Sequence, residues 1–245
     1  MSREPQVVMI TGASRGLGRA LALAFARTGA SLAICARNEE ALLGVKREAE
    51  DAGAAQVLAI AADASLSRDV ERFVAVAEEA FGKIDVLINN AAILGPSPMP
   101  YLLDYPEADF LEVLRVNTAG PFLVTRRVLP GMLQRGDGSI INVTSEAGIN
   151  GYAGWGAYSV SKFAVEGLTK VWAQEVDGTG VRVNMVDPGS MNTVMMHQAD
   201  PEPDYPLAEP ESVVDVFLYL ASDAARGING QRFCAQAFDR EEMSR

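Results

Sequence analysis

The chain has 245 residues, 49% of them hydrophobic, and a formal net charge of −11 at pH 7. This length and composition suit one α/β domain with a substantial core, which we place at residues 1–238, followed by a charged tail at 239–245. The acidic balance, with no basic tract, argues against nucleic acid and anionic membranes as partners.

Cysteine and histidine are too scarce to suggest a metal site. Cys35 and Cys234 each stand in a short apolar run, and we interpret both as small core residues. His197 is the single histidine, so no metal is predicted. Residues 1–6 carry charge and a proline where a signal peptide would be apolar, and no apolar run has the length of a membrane span. We therefore expect a cytoplasmic protein.

Short apolar runs alternate with longer amphipathic stretches along the whole chain. This alternation predicts a doubly wound parallel sheet of about seven strands with helices on both faces. The apolar runs are rich in Val and Ile, as expected of strands buried on both faces. The predicted strands are Gln6–Ile10, Ser31–Ala36, Gln56–Ala62, Asp85–Asn90, Ser139–Thr144, Val181–Val186 and Gln231–Ala237.

The helical segments show a period of 3.6 residues and recognisable ends. Ser67–Phe81 has its apolar residues on one face, and Arg19–Thr28 follows the first strand. Asn38 precedes two glutamates as an N-cap residue should. Gly29 and Gly53 stand where helices typically end.

Two proline-rich stretches interrupt the alternation. Leu94–Tyr105 holds three prolines and is predicted to be a loop after the fourth strand. Ser190–Glu209 holds three prolines, four acidic residues and three methionines after the sixth strand. Both follow the carboxyl ends of predicted strands, which is where open α/β sheets bind ligands.

A glycine-rich turn joins the first strand to the first helix. The segment Thr11–Gly18 reads TGASRGLG, with glycines spaced G-x-x-x-G-x-G. Such a turn lets backbone approach a phosphate, whose negative charge a helix N-terminus favours. A plain tight turn is the alternative, but the position on the first strand of an α/β pattern favours a dinucleotide.

The end of the second strand indicates which dinucleotide is bound. An acidic residue there usually holds the 2′-hydroxyl of NAD, whereas an arginine accommodates the 2′-phosphate of NADP. Here Ala36 is followed by Arg37 and Asn38, and Arg15 in the glycine turn is a second cation. The sequence therefore favours NADP over NAD.

Tyr158 and Lys162 lie four residues apart at the start of a predicted helix, so they share one face. A nearby cation favours a phenolate, and we expect it to pull the pKa of the tyrosine down toward neutrality. Alone, such a pair is often only a solvated contact.

Together these features resemble the short-chain dehydrogenase/reductase family, which has a Rossmann-type sheet, over about residues 7–230. Ser145 precedes Tyr158 by thirteen residues, the separation common in that family. The motifs that carry the resemblance are TGASRGLG, Asp63, NNAA at Asn89–Ala92, Asn117, Ser145, the Tyr158/Lys162 pair, and Pro188-Gly189 followed by Thr193.

The resemblance implies a catalytic role for four residues. Tyr158 would exchange a proton with the substrate oxygen, and Lys162 would lower the tyrosine pKa and bind the nicotinamide ribose. Ser145 would hold the substrate oxygen, and Asn117 would position a water near Lys162.

The resemblance also implies a cofactor site. Two positions depart from the family pattern, since Ala64 follows Asp63 in place of a valine-like residue and Ala92 replaces a common glycine. After Gly230, the familiar Asp-Gly-Gly turn is replaced by Gln-Arg-Phe-Cys-Ala-Gln. The implied cofactor residues are Gly12, Ser14, Arg15, Gly16, Leu17, Gly18, Arg37, Asn38, Asp63, Ala64, Asn90, Ala91, Ala92, Tyr158, Lys162, Pro188, Gly189, Met191 and Thr193.

A largely apolar set of residues is predicted to contact the substrate, although simple packing is the alternative. Its methionines are adaptable and suggest a hydrophobic or semi-polar carbonyl compound. His197 is interpreted as a surface residue. The acidic surface disfavours an acyl-carrier protein, while the basic pair Arg126 and Arg127 leaves that option open. The predicted substrate residues are Ile93, Leu94, Glu146, Tyr152, Trp155, Met195 and Met196, beside Met191.

The leading hypothesis is an NADP-dependent carbonyl reductase or alcohol dehydrogenase acting on a small molecule. The alternatives are a non-catalytic NAD(P) redox sensor and a dehydratase or epimerase on the same scaffold. A second apolar face on the helix that starts near Tyr158 predicts a homotetramer or homodimer. The apolar residues of this helix lie on more than one of its sides, and they are Phe163, Val165, Leu168, Val171 and Trp172.

Overall fold

A computed structural model describes residues 4–239 and contains a seven-stranded sheet in which every strand pair is parallel. The strand order is β3-β2-β1-β4-β5-β6-β7. The prediction of a single α/β domain with a doubly wound parallel sheet is confirmed. The strands are β1 (Val7–Thr11), β2 (Ser31–Ala36), β3 (Gln56–Ala61), β4 (Val86–Asn89), β5 (Gly138–Val143), β6 (Val181–Asp187) and β7 (Arg232–Cys234).

Helices cover both faces of the sheet, because successive residues of each buried strand point to opposite sides. Val8 and Ile10 pack with the first, second and last helices, whereas Met9 packs with the third, fifth and sixth. The helices are α1 (Gly16–Arg27), α2 (Glu39–Asp51), α3 (Ser67–Phe81), α4 (Glu107–Leu114), α5 (Gly120–Arg135), α6 (Gly156–Glu175), α7 (Val194–Ala199) and α8 (Asp215–Ala221).

The predicted local signals are confirmed at several helix ends. α3 has the predicted bounds, and the Asn38 side chain accepts a hydrogen bond from the Ala41 N–H at 2.9 Å. Gly29 and Gly53 follow α1 and α2 with φ values of 77° and 108°, which suit glycine.

Two predicted segments differ from the structure. α1 begins at Gly16, inside the glycine-rich turn, and not at Arg19. The stretch Ser190–Glu209 is not wholly irregular, since it contains α7. Thr193 caps that helix by accepting a hydrogen bond from the Met196 N–H at 3.3 Å. A threonine cap before an apolar turn was a signal that the proline content obscured.

The last strand is shorter than predicted. It pairs only with β6 and ends at Cys234, where the chain enters a 3₁₀ turn over Ala235–Ala237. The Gln236 side chain then folds back to donate to the carbonyls of Pro188 and Ser190 at 3.1 and 3.0 Å. The interpretation of Cys234 as a core residue is wrong, because this short edge strand leaves it exposed; Cys35 is buried as expected. The predicted tail at 239–245 lies outside the described residues after Asp239.

The strand order reverses between β1 and β4, which are neighbours in the sheet but not in the chain. Connections leave these two strands in opposite directions, and their carboxyl ends therefore border a crevice. The Asn90 side chain joins the two strand ends by donating to the carbonyls of Thr11 and Gly12 at 2.9 and 3.1 Å. Within residues 4–239, no helix is long and apolar enough to cross a membrane.

Candidate active site

One cavity of about 1350 Å³ runs along the carboxyl ends of the strands. This volume exceeds the roughly 300–1,000 Å³ of an ordinary small-ligand pocket, so the cavity can hold two molecules side by side. Its wall includes all of the predicted cofactor and substrate residues, and three of the four predicted catalytic residues, namely Ser145, Tyr158 and Lys162.

The glycine-rich turn forms one wall and has no room for side chains. A Cβ added at Gly12 would lie 2.7 Å from Ala91 Cα, and one at Gly18 would lie 2.7 Å from the Asn90 amide nitrogen. Gly12 also has a φ of 69°, which an L side chain rarely adopts. Arg15 precedes α1 without a side-chain cap, so the first N–H groups of the helix are available to an anion. This wall fits the phosphates of a dinucleotide.

Two arginines stand at the wall of the cavity, one in the glycine-rich turn and one directly after β2. Arg15 and Arg37 are exposed at the cavity wall, and neither forms an ion pair with a carboxylate of residues 4–239. Asp63 lies beside them and accepts hydrogen bonds from the Ser65 N–H and hydroxyl. Burial opposes its charge, but these bonds and the charges of Arg115 and Arg37 hold the pKa of Asp63 below its ordinary value.

Ser145, Tyr158 and Lys162 meet at the other end of the cavity. Ser145 follows β5 and caps a 3₁₀ turn by accepting from the Ala147 N–H at 3.2 Å. Tyr158 stands in the first turn of α6, and its phenol lies close enough to the Ser145 side chain for that hydroxyl to lower the pKa of the phenol. One turn later, Lys162 Nζ donates to the Val143 carbonyl at 2.8 Å and lies 5.5 Å from the centre of the Tyr158 ring.

The expected lowering of the Tyr158 pKa by Lys162 is wrong for this arrangement. Burial raises the pKa of Tyr158 to about 12, although the nearby Ser145 hydroxyl acts in the opposite direction. Burial also lowers the pKa of Lys162 to about 8, against the attraction of Asp187 and Glu166. The physical reason is that both groups are removed from water, which favours their neutral forms. The lysine, moreover, directs its hydrogen bond at a backbone carbonyl.

Asn117 lies near the site but outside the cavity wall. It belongs to a π-helical turn, Arg115–Ala119, between α4 and α5, and such turns are frequent at functional sites. Its amide accepts from the Ile93 N–H at 2.8 Å and donates to the Ile93 carbonyl at 2.8 Å and to the Ser161 hydroxyl at 3.0 Å. These bonds use both N–H donors of the Asn117 amide. Asn117 therefore links the backbone that follows β4 with helix α6.

The predicted substrate residues form an apolar wall around the phenol. Tyr158 packs in a small cluster with Leu94, Trp155 and Met195, and its ring lies 5.7 Å from that of Trp155. Glu146 adds one polar group, which accepts from the Tyr152 hydroxyl at 2.7 Å.

The histidine and one methionine of the segment after β6 are not members of the apolar cluster around Tyr158. Met191 lines the cavity, but it also packs against the core and forms a β-bridge with Ala208. His197 is exposed outside the cavity, with its Nε2 at 3.0 Å from Asn192 Oδ1.

Several cavity residues were missed from the sequence. Asp187 ends β6 directly before Pro188, and a carboxylate at the carboxyl end of a buried strand was a readable signal. Met99, Ala199 and Tyr205 come from the two proline-rich stretches and also approach the site. Nothing local in the sequence indicates which loop residues turn inward, because loop direction depends on tertiary contacts.

Comparisons with known proteins agree with this geometry. The profile of the short chain dehydrogenase family matches residues 6–204. The 3-oxoacyl-(acyl-carrier-protein) reductase FabG of Thermotoga maritima is 36% identical over 243 residues, covering 94% of this chain and 96% of that protein.

The chain belongs to the short-chain dehydrogenase/reductase family. Levodione reductase of Leifsonia aquatica is 35% identical over 242 residues, covering 91% of this chain and 90% of that protein. A solved short chain dehydrogenase from Pseudomonas syringae has 40% identity and a TM-score of 0.89, covering 94% of both chains. As a family member, the protein is an oxidoreductase that acts on carbonyl or alcohol substrates and binds NAD(P).

Proposed function

We propose that this protein is an NADP-dependent carbonyl reductase or alcohol dehydrogenase for a small, semi-hydrophobic molecule, with Tyr158 as the acid–base group. The observation that carries the proposal is the Ser145–Tyr158 pair, with Lys162 one helical turn away, in the same cavity as the glycine-rich turn. A dinucleotide sensor would need the glycine-rich turn but not this pair.

The nicotinamide of the bound cofactor would supply hydride-transfer chemistry. The protein's part is to hold the substrate oxygen and move one proton. The Ser145 hydroxyl can bind that oxygen beside the phenol, while the apolar residues around Tyr158 exclude water. At neutral pH Tyr158 keeps its proton, because burial raises its pKa to about 12, and the protonated phenol is the form that carbonyl reduction uses.

The preference for NADP rests on Arg15 and Arg37. Each offers a guanidinium without a carboxylate partner among residues 4–239, at the position where a 2′-phosphate would bind. A short chain dehydrogenase from Escherichia coli CFT073, 32% identical, was solved as a complex with NADPH. A xylitol dehydrogenase that is 27% identical was solved with NAD⁺, so the fold accepts either cofactor, and Arg15 and Arg37 are what supports NADP for this chain.

We favour a free small molecule over an acyl chain presented by a carrier protein as the substrate. The carrier would be acidic, and this chain has a net charge of −11. Arg127, the inner residue of the basic pair on α5, is already held by Glu78 at 2.9 Å. The relative named FabG is the reason to test an acyl-carrier protein substrate beside free ketones.

The proposal is tested by incubating the protein with NADPH or NADH and a panel of cyclic, aromatic and aliphatic ketones, together with an acyl-carrier protein thioester. Absorbance of the reduced cofactor reports turnover. We expect turnover with free ketones and NADPH. Tight NADPH binding without turnover across the panel, in either direction, would favour the sensor.

We also propose that the protein self-associates through one face of α6. Val160, Phe163 and Val171 share that face and are 41%, 47% and 55% exposed. Gly167 lies on the same face with open space around it. A helix of a second subunit could therefore pack closely against this face. Sedimentation is expected to give a dimer or tetramer for the wild type and a smaller species for Phe163→Asp. A monomeric wild type would refute this assembly.

A further inference from the structure

Four charged side chains, two cationic and two anionic, form a cluster beside Ser145 that includes Lys162. Lys162, Glu166 and Asp187 are 3%, 4% and 7% exposed, and the Arg232 side chain is 20% exposed. Carboxylates are rarely buried to this extent unless they are paired. The residue that pairs both of them is Arg232.

The Arg232 guanidinium contacts three separate parts of the site wall. Its Nε donates to Glu166 Oε1 at 3.0 Å, and its Nη2 donates to Asp187 Oδ2 at 2.8 Å and to the Ser145 carbonyl at 3.3 Å. A planar guanidinium can make these bonds at once, which a lysine cannot do.

Each of these contacts leads to a group that faces the cavity. Ser145 is the hydroxyl beside the phenol. Asp187 accepts from the Gly189 N–H at 2.9 Å and so holds the turn after β6. Glu166 stands one helical turn beyond Lys162 and also accepts from the Thr144 hydroxyl at 2.8 Å.

Arg232 stands in the segment where this chain departs from the pattern of its family. The Asp-Gly-Gly turn is absent there, and the strand instead brings a cation beneath the site. Glu166 comes from α6 and Asp187 from the end of β6, so three elements meet at one guanidinium.

We propose that Arg232 is a positioning residue for the reaction: by pairing Glu166 and Asp187 it keeps the charge beneath Lys162 balanced and holds Ser145 in register with Tyr158. This inference rests on the proposed function for its catalytic meaning, but its electrostatic part concerns the protein alone.

The groups that act on Lys162 come from each element packed around it. Tyr158 and Glu166 lie on α6, Asp187 on β6, and Arg232 on β7 behind the two carboxylates. Asp187 and Glu166 both favour the charged form of Lys162. Arg232 is paired with both of these carboxylates. Removal of Arg232 leaves two buried carboxylates facing one lysine, and that excess of negative charge favours the protonated amine.

The test is NMR titration of protein labelled at lysine Cε, which is practical because the chain has four lysines. Lys162→Met assigns the signal. In Arg232→Met we expect the Lys162 midpoint to rise by about one pH unit. Adding Glu166→Gln should bring it back toward the wild-type midpoint, since one of the unpaired carboxylates is gone.

Two further variants separate positioning from general stability. Arg182→Met removes another buried arginine, at the amino end of β6, and should leave the Lys162 midpoint unchanged. Arg232→Lys keeps the charge but not the three-way contact, so the midpoint should stay close to that of the wild type. Turnover of Arg232→Lys should nevertheless fall by about tenfold to a hundredfold.

An unmoved Lys162 midpoint in folded Arg232→Met would overturn the inference. If Arg232→Met does not fold, Arg232→Lys decides, and turnover of Arg232→Lys equal to that of the wild type would overturn the inference. Protein that shows the predicted midpoints but turns over no carbonyl compound would instead refute the proposed function.

Discussion

The two ends of the cavity hold charge in different ways. One end is formed by the glycine-rich turn and the end of β2, and we call it the adenosine end after the proposed position of the cofactor. Arg15 and Arg37 are exposed there and form no ion pair with a carboxylate of residues 4–239. At the chemical end, Tyr158, Lys162, Glu166 and Asp187 are buried and tied to one another or to Arg232. An exposed charged side chain is screened by water and can be substituted with little change in the free energy of folding. A buried charged side chain is stable only while all of its partners are present. The adenosine end can therefore change its cofactor preference more easily than the chemical end can change its reaction.

The sharpest way to break this comparison is Tyr158→Phe. Loss of the phenolic proton should lower kcat by about 10²- to 10⁴-fold. NADPH affinity should change little, because the phosphates and the adenosine are held at the other end. Stopped-flow turnover and fluorescence titration of NADPH would measure the two effects. Tyr101→Phe, in an exposed loop outside the cavity wall, is the matched control. Turnover of Tyr158→Phe equal to that of the control would remove Tyr158 from the mechanism.

At the adenosine end, Arg37→Ala should weaken NADPH binding by about 1–3 kcal/mol, the contribution of a hydrogen bond to a charged group. NADH binding should be nearly unaffected, because it carries no 2′-phosphate. Isothermal titration with both cofactors measures the difference, and Arg47→Ala on the exposed side of α2 serves as the control. Equal losses for NADPH and NADH would contradict the assignment of Arg37 to the phosphate.

The altered pKa of Lys162 should make the free energy of unfolding of the protein depend on pH. An unfolded lysine keeps its proton up to about 10.5, whereas burial lowers the folded pKa to about 8. Between these values the unfolded state binds more protons, so the free energy of unfolding should rise with pH. Below pH 8 both states are protonated and this contribution to the pH dependence vanishes.

Urea denaturation of the wild type and of Lys162→Met should show this contribution as a difference that grows by about 1–2 kcal/mol between pH 8 and 10. Tyr158 is present in both proteins, so its own titration cancels in the comparison. Parallel stability curves for the two proteins would mean that Lys162 keeps an ordinary pKa.

The smallest expected effect belongs to the Asn38 cap at the adenosine end. Asn38→Ala should lower the free energy of unfolding by about 1 kcal/mol, because the Ala41 N–H loses its partner. Asn38→Asp keeps an acceptor at the helix start and should restore the stability. Chemical denaturation of the three proteins at pH 7 checks this. No difference between alanine and aspartate would show that the cap contributes nothing.

Local signals in the sequence predicted much of the fold and half of the active site. The 3.6-residue period gave the bounds of α3, and the four-residue spacing of Tyr158 and Lys162 brought both to one cavity. The glycine-rich turn was readable because its chemistry is local. Where signals conflicted, as with the prolines around α7, composition led to the wrong expectation.

Burial and long-range contact lay beyond the reach of local signals. The pKa of Tyr158 was expected to fall because a cation is near in sequence, yet it rises because the phenol is buried. Cys234 looked like a core residue within an apolar run, but β7 is a short edge strand. Both errors have one cause: the number of neighbours around a side chain is set by the whole fold.

The sequence was enough to predict the order of strands and helices, the glycine-rich turn and the Tyr158/Lys162 pair, since each depends on spacing along a few residues. The balance of charge beneath that pair depends on the tertiary structure. Arg232 lies 87 residues from Ser145 and 66 from Glu166, and these contacts exist because β5, β6, β7 and α6 converge. Solvent exclusion at that convergence, rather than any motif, gives Lys162 and Tyr158 their altered pKa values.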